Sequence, residues 1–179
     1  MLYLVEGLNC AGKTTYIENL KKHIIYIKTH WCNPLRWSDK KKDIVYASHD
    51  YSLGAYETVL RLYKNWPEAI FWDRTFISAY IYDSISKRYF DYLVDICLEN
   101  QVSTPHIIFV DTKIDTCLSR LKSLRESDPK YKDYIWCDTF VTMIDKRNFF
   151  IDVIDKLSKK GFVTQYIKGV YNERTTSHS

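Results

Sequence analysis

Apolar and polar positions fall into blocks along the chain, and the period of the pattern changes from block to block. Leu2 to Glu6 is a short apolar run ahead of a glycine, which reads as a buried strand. A helix is expected from near Lys13 to about Ile25, then a short strand near Ile25 to Thr29 and a polar loop through Asn33 and Pro34. From Asp43 to about Asn65 the spacing of Ile44, Ala47, Tyr51, Tyr56, Val59, Leu60 and Tyr63 predicts a helix, weakened at Gly54. Ala69 to Trp72 is the next strand, ending on Asp73. Helical patterning resumes through Ala79 to Ser86 and again through Tyr89 to Glu99. His106 to Val110 is the clearest strand, closed by Asp111, and a helix near Ile114 to Leu124 leads into a polar stretch from Arg125 to Lys132. Trp136, Phe140, Met143, Ile144, Phe150, Ile151, Ile154 and Leu157 then recur at three and four residues, predicting a long amphipathic helix that ends before Gly161. Phe162 to Ile167 is a last strand.

Strands alternating with helices imply a parallel sheet covered on both faces, so the fold class is α/β. With 179 residues, no internal repeat and no Gly/Ser- or Pro-rich linker, one domain over residues 1–172 is expected, with a fraying tail over 173–179. No apolar run approaches the roughly 20 residues that span a bilayer, and the first residues carry no basic leader. A cytoplasmic protein without a membrane partner is expected. The five cysteines include no C-x-x-C pair, which argues against a disulfide framework and a zinc site. His30 and Cys32 lie close together, but no second ligand pair follows them. Lys and Arg total 26 against 22 Asp and Glu, a net charge of +4 that favours anionic partners and equally suits a plain solvated surface.

Candidate chemistry begins where the first strand ends. Gly7 through Thr14 (GLNCAGKT) fits G-x-x-x-x-G-K-[ST], between a predicted strand and a predicted helix, as the motif requires. Gly7 and Gly12 let the backbone fold so that successive N–H groups point at one anion, and the helix N-terminus adds its partial positive charge. Gly7, Asn9, Cys10, Ala11, Gly12, Lys13, Thr14 and Thr15 are therefore the candidate cradle for a nucleoside triphosphate. Lys13 would reach the outer phosphates, and Thr14 would offer its hydroxyl to Mg²⁺. Cys10 reads as a space-filler. Asp73, ending an apolar strand, is placed to hold Mg²⁺ or accept a proton, and Arg74 can pair with phosphate oxygens. Taken alone, the Asp73-Arg74 pair also fits a surface ion pair. Thr112-Lys113-Ile114-Asp115 matches a guanine-reading pattern, but no D-x-x-G lies between it and the loop, and a plain helix start explains it as well.

The chain resembles the thymidylate kinases and their deoxynucleoside kinase relatives through Glu6 to Thr15 and through Asp73 to Tyr80. Phe109-Val110-Asp111, with Leu118, Arg120 and Arg125 after it, is similar to the family's strand and arginine-bearing lid. The resemblance implies a three-layer α/β/α P-loop fold on a five-stranded parallel sheet, ATP as donor, Mg²⁺, and a lid over about residues 120–133. It also implies that Arg120 and Arg125 neutralise charge on the transferred group, with Lys13, Asp73 and Arg74 as their catalytic companions. Three departures lie on the acceptor side. Asn9 stands where the family usually carries an aspartate, residues 29–34 replace an E-P-G-G stretch, and an arginine expected near Asp50 is missing.

Two acceptors remain open. A nucleoside monophosphate is already an anion and needs cations rather than a base, whereas a hydroxyl acceptor benefits from a carboxylate. The hydroxyl reading covers a deoxynucleoside or a hydroxymethylated pyrimidine within DNA. Trp31, Arg36, Trp37 and Lys40 to Lys42 interleave aromatic and basic groups, as strand-binding surfaces do, and equally as an exposed loop does. A nucleotide-binding regulator without transfer activity is the non-enzyme reading. DNA and a second copy of the chain stay open as partners.

Overall fold

The computed structural model describes residues 1–20, 25–29, 45–47, 52–63, 69–82, 85–99, 104–127 and 139–169. In chain order these form β1 (Leu2–Glu6), α1 (Lys13–Glu18), β2 (Ile25–Thr29), β3 (Val45–Ala47), α2 (Ser52–Tyr63), β4 (Ile70–Asp73), α3 (Phe76–Ile81), α4 (Lys87–Glu99), β5 (His106–Asp111), α5 (Ile114–Ser127), α6 (Phe140–Lys159) and β6 (Val163–Lys168). The strands make one sheet in the order β3-β2-β4-β1-β5-β6, and every pairing is parallel. The five expected strands are all present, and the three-residue β3 adds a sixth at one edge.

Near-continuous apolar runs are what a sheet buried on both faces demands, and β1, β4 and β5 supply them. Leu2, Leu4, Ile107 and Val5 are completely buried, as is Trp72 almost entirely. Trp72 and Asp73 are consecutive, so they face opposite sides of the sheet. Trp72 meets Tyr56 of α2 and Phe76 of α3, whereas Asp73 receives Thr14 of α1. Helices therefore cover both faces. On the Trp72 side the core continues through Phe90, Phe109 and Phe150.

Three boundaries differ from the reading of the pattern. The helix expected through Ala79 to Ser86 starts three residues earlier, where Thr75 caps it, and ends at Ile81. The helix expected from Asp43 to Asn65 is a strand followed by a helix, since Val45–Ala47 pairs with Ile27–Thr29 and α2 starts only at Ser52. A β-branched and an aromatic residue at Val45 and Tyr46 suit a sheet edge once a partner strand exists, so pairing overrides a helical spacing. The first helix stops at Glu18, well short of Ile25, which instead opens β2. The long C-terminal helix begins at Phe140, where Thr139 and Thr142 form a reciprocal capping box, and ends at Lys159 ahead of Gly161. Trp136, the loop through Asn33 and Pro34, most of the polar stretch after Arg125 and the C-terminal tail lie outside the described residues.

Candidate active site

β1 runs through the centre of the sheet and delivers the G-x-x-x-x-G-K-T loop to the sheet's C-terminal edge. Open parallel sheets place ligands in the crevice at that edge. Gly7 has φ 145°, and a Cβ there would lie 2.6 Å from the carbonyl oxygen of Val110, so only glycine lets the loop pass this close to β5. Gly12 caps α1 in a left-handed conformation, φ 97°, and Cys10 is left-handed too, at φ 60°. Two residues of the β5–α5 region brace the loop from outside. Thr112 Oγ1 donates to Ala11 O at 2.7 Å, and Arg120 Nη1 donates to Cys10 O at 3.2 Å.

Lys13 is buried, and its Nζ donates to Gly7 O at 2.9 Å and Leu8 O at 2.8 Å. Burial, and then the like charge of Arg74, pull its pKa down to about 8, against the opposing pull of Asp73 and Glu6. Thr14 and Asp73, 59 positions apart, meet directly, Thr14 Oγ1 donating to Asp73 Oδ2 at 2.8 Å. Tyr26 of β2 joins them, its hydroxyl donating to the same Asp73 oxygen at 3.1 Å. Burial, and then the charge of Asp73, push the Tyr26 phenol above its ordinary pKa, so it remains a donor.

Arg74 has φ 63°, a conformation that costs a non-glycine residue roughly 1–2 kcal/mol. The turn is held from both sides. Arg74 Nη2 donates to Asn9 Oδ1 at 2.6 Å, tying the turn to the glycine-bounded loop. Beneath it Glu6, completely buried, accepts from the backbone N–H and hydroxyl of Thr75 and from the hydroxyl of Ser78. Burial raises the Glu6 pKa although these donors pull it down. Thr75 in turn caps α3 by accepting from Ile77 N at 3.1 Å. A single carboxylate at the end of β1 thus fixes where Asp73 and Arg74 emerge from β4.

The fold brings Gly7, Asn9, Cys10, Ala11, Gly12, Lys13, Thr14, Asp73, Arg74 and Arg120 to one place, with Thr15 in the first turn of α1. Arg125 lies on α5 five residues beyond Arg120, about 140° round the helix, so the two guanidiniums leave it on different sides. The remainder of the expected lid, and Arg36 with its neighbouring tryptophans, lie outside the described residues. Thr112, within the guanine-reading pattern, spends its hydroxyl on the loop backbone instead. Tyr26 was not singled out in the sequence, and Thr75 and Ser78 entered only as members of the Asp73–Tyr80 resemblance, with no role of their own. Thr75 and Ser78 stand at the start of a helix after an acidic strand end, a capping signal. Tyr26 shows itself only once β2 is paired with β4, Lys28 beside Asp73.

The donor set suits a magnesium ion with a phosphate chain. It offers hard oxygen atoms, one hydroxyl and one almost fully buried carboxylate, beside a loop of backbone N–H groups. Mg²⁺ is held in such sites by one or two carboxylates with phosphates and waters completing its shell. No family model matches the chain, and no curated protein does. Among solved structures it is similar to deoxyadenosine kinase from M. mycoides with bound dATP, at 18% identity over 94% of this chain and 91% of that one, with a TM-score of 0.53. The same kinase with the products dCMP and dCDP gives 18% identity over 93% and 90%, with a TM-score of 0.50. Thymidylate kinase from Ehrlichia chaffeensis gives 13% over 98% and 90%, with a TM-score of 0.47. The chain has the three-layer α/β/α fold of the P-loop nucleoside kinases.

Proposed function

We propose that this chain is an ATP-dependent kinase that transfers the γ-phosphate to a nucleotide or nucleoside, with a deoxynucleoside monophosphate as the favoured acceptor. The observation that carries the reading is the meeting of Thr14 with Asp73 at the mouth of a glycine-bounded loop that holds a buried lysine. In this reading the loop N–H groups and Lys13 seat the β- and γ-phosphates, and Thr14 with Asp73 holds Mg²⁺. Bound there, the ion would neutralise charge on the bridging phosphate oxygens. Arg120 braces the loop through Cys10 O and adds positive charge on the donor side, whereas Arg125, leaving α5 on a different side, has no part in this reading. Arg74, anchored on Asn9, faces the acceptor.

The carboxylate of Asp73 bears on the choice of acceptor. Its Oδ2 takes hydrogen bonds from both Thr14 and Tyr26, which supports a role for this oxygen on the metal side. A monophosphate needs no base, so the arrangement favours it. The hydroxyl reading, a deoxynucleoside or a hydroxymethylated pyrimidine in DNA, draws its support from the likeness to deoxyadenosine kinase. The test offers labelled ATP with deoxynucleoside monophosphates, deoxynucleosides, and DNA carrying normal or hydroxymethylated pyrimidines. Label in a diphosphate is the expected result. Label in a nucleoside or in DNA would move the assignment to the second reading, and no label in any acceptor would end both.

A further inference from the structure

We infer that Tyr26 is a positioning residue for the magnesium side of the site, holding the Asp73 carboxylate against the Thr14 hydroxyl; the inference rests on the kinase reading above. Nothing in the motifs points to this residue. In the sheet, Tyr26 pairs with Phe71 and Lys28 with Asp73, so residues two apart on β2 share the face on which Asp73 emerges. The half-buried Tyr26 ring lies along that face, and its hydroxyl ends 3.1 Å from Asp73 Oδ2 and 3.5 Å from Thr14 Oγ1. Thr14 donates to the same carboxylate oxygen at 2.8 Å. One oxygen of an almost fully buried carboxylate is thereby constrained from β2 and from α1 while its own backbone belongs to β4.

The consequence is directional. An aspartate has two soft side-chain torsions, and a single hydrogen bond from Thr14 leaves the carboxylate able to swing about it. A second donor from another element removes that swing, which is how outer partners orient metal-binding carboxylates in general. A ring needed only for packing would do as well as phenylalanine. The hydroxyl is the part that meets Asp73.

The test is Tyr26→Phe, which keeps the ring and deletes the hydroxyl. ATP binding is measured by calorimetry in EDTA and in Mg²⁺, and the ratio of the two dissociation constants is the gain due to the ion. The expected result is a fall in that gain of about tenfold, with ATP affinity in EDTA and the melting temperature nearly unchanged. In turnover, kcat should fall more than KM rises. An unchanged gain would overturn the inference. So would equal losses in EDTA and in Mg²⁺ together with a lower melting temperature, since those describe packing alone. An unsubstituted chain that binds no ATP with or without Mg²⁺ would instead overturn the kinase reading beneath it.

Discussion

Lys13 illustrates how one buried cation sets a pH limit. Its pKa of about 8 lies below the ordinary lysine value because water is excluded and Arg74 is near. A triphosphate would favour the ammonium form, so binding above pH 8 must draw a proton from solution, and affinity should fall as pH rises. Proton uptake on binding should therefore be larger above pH 8 than below it, read by calorimetry in buffers of different ionisation enthalpy. The stability sign is opposite to that of a salt-bridged lysine. Between about pH 8 and 10.5 the unfolded chain holds a proton that the folded chain lacks, so this group makes stability rise with pH there. Lys13→Ala should abolish transfer, losing at least about a thousandfold in kcat, while far-ultraviolet dichroism stays native. Asp73→Asn removes charge but keeps shape, and kcat should fall by about a hundredfold with little change in KM. An unchanged kcat with raised KM would reduce Asp73 to a substrate-positioning role.

At the scale of elements, the loop and the β4–α3 turn are two pieces that the chain keeps apart and the Glu6 carboxylate joins. Glu6→Ala would strand the Thr75 N–H and the Ser78 hydroxyl in the core and free the left-handed Arg74 turn, costing about 2–4 kcal/mol. Glu6→Gln should cost far less, because its carbonyl can take the Thr75 donors while the amide donates to Ser78. A urea titration of both variants separates the outcomes, and equal losses would mean that charge rather than hydrogen bonding matters. The strand–loop–helix turn at Gly7–Lys13 was legible in the sequence because all its parts are contiguous, from β1 through Gly12 to α1. The Glu6 network was not, because its members stand 69 and 72 positions apart. The β3 strand was missed for a related reason, since Ile44, Ala47 and Tyr51 fit a helical spacing and only pairing with β2 makes a strand of Val45–Ala47. Tyr26 sits in an apolar strand with nothing local to distinguish it from its neighbours.

For the whole molecule, strand order decides where function sits. β1 lies between β4 and β5, so the loop after it, the Asp73 turn and Thr112 all open on the same edge of the sheet. A ligand that grips all three should stabilise the domain as one body. ATP with Mg²⁺ at about one hundred times its dissociation constant should add about 2.7 kcal/mol and raise the melting temperature by about 5–10 °C. Scanning fluorimetry would read this directly, and a flat response would count against the site. The same central placement of β1 also bears on how the protein is made. Its partners are residues 70–73 and 106–109, which leave the ribosome long after residues 2–6. At about 5–20 residues per second the nascent β1 waits roughly 5–20 s for β5 to be synthesised, with β4 the earlier of its two partners to emerge. Until then β1 lacks one of its two neighbours, and Thr112 and Arg120, which brace the loop after it, have not yet been made.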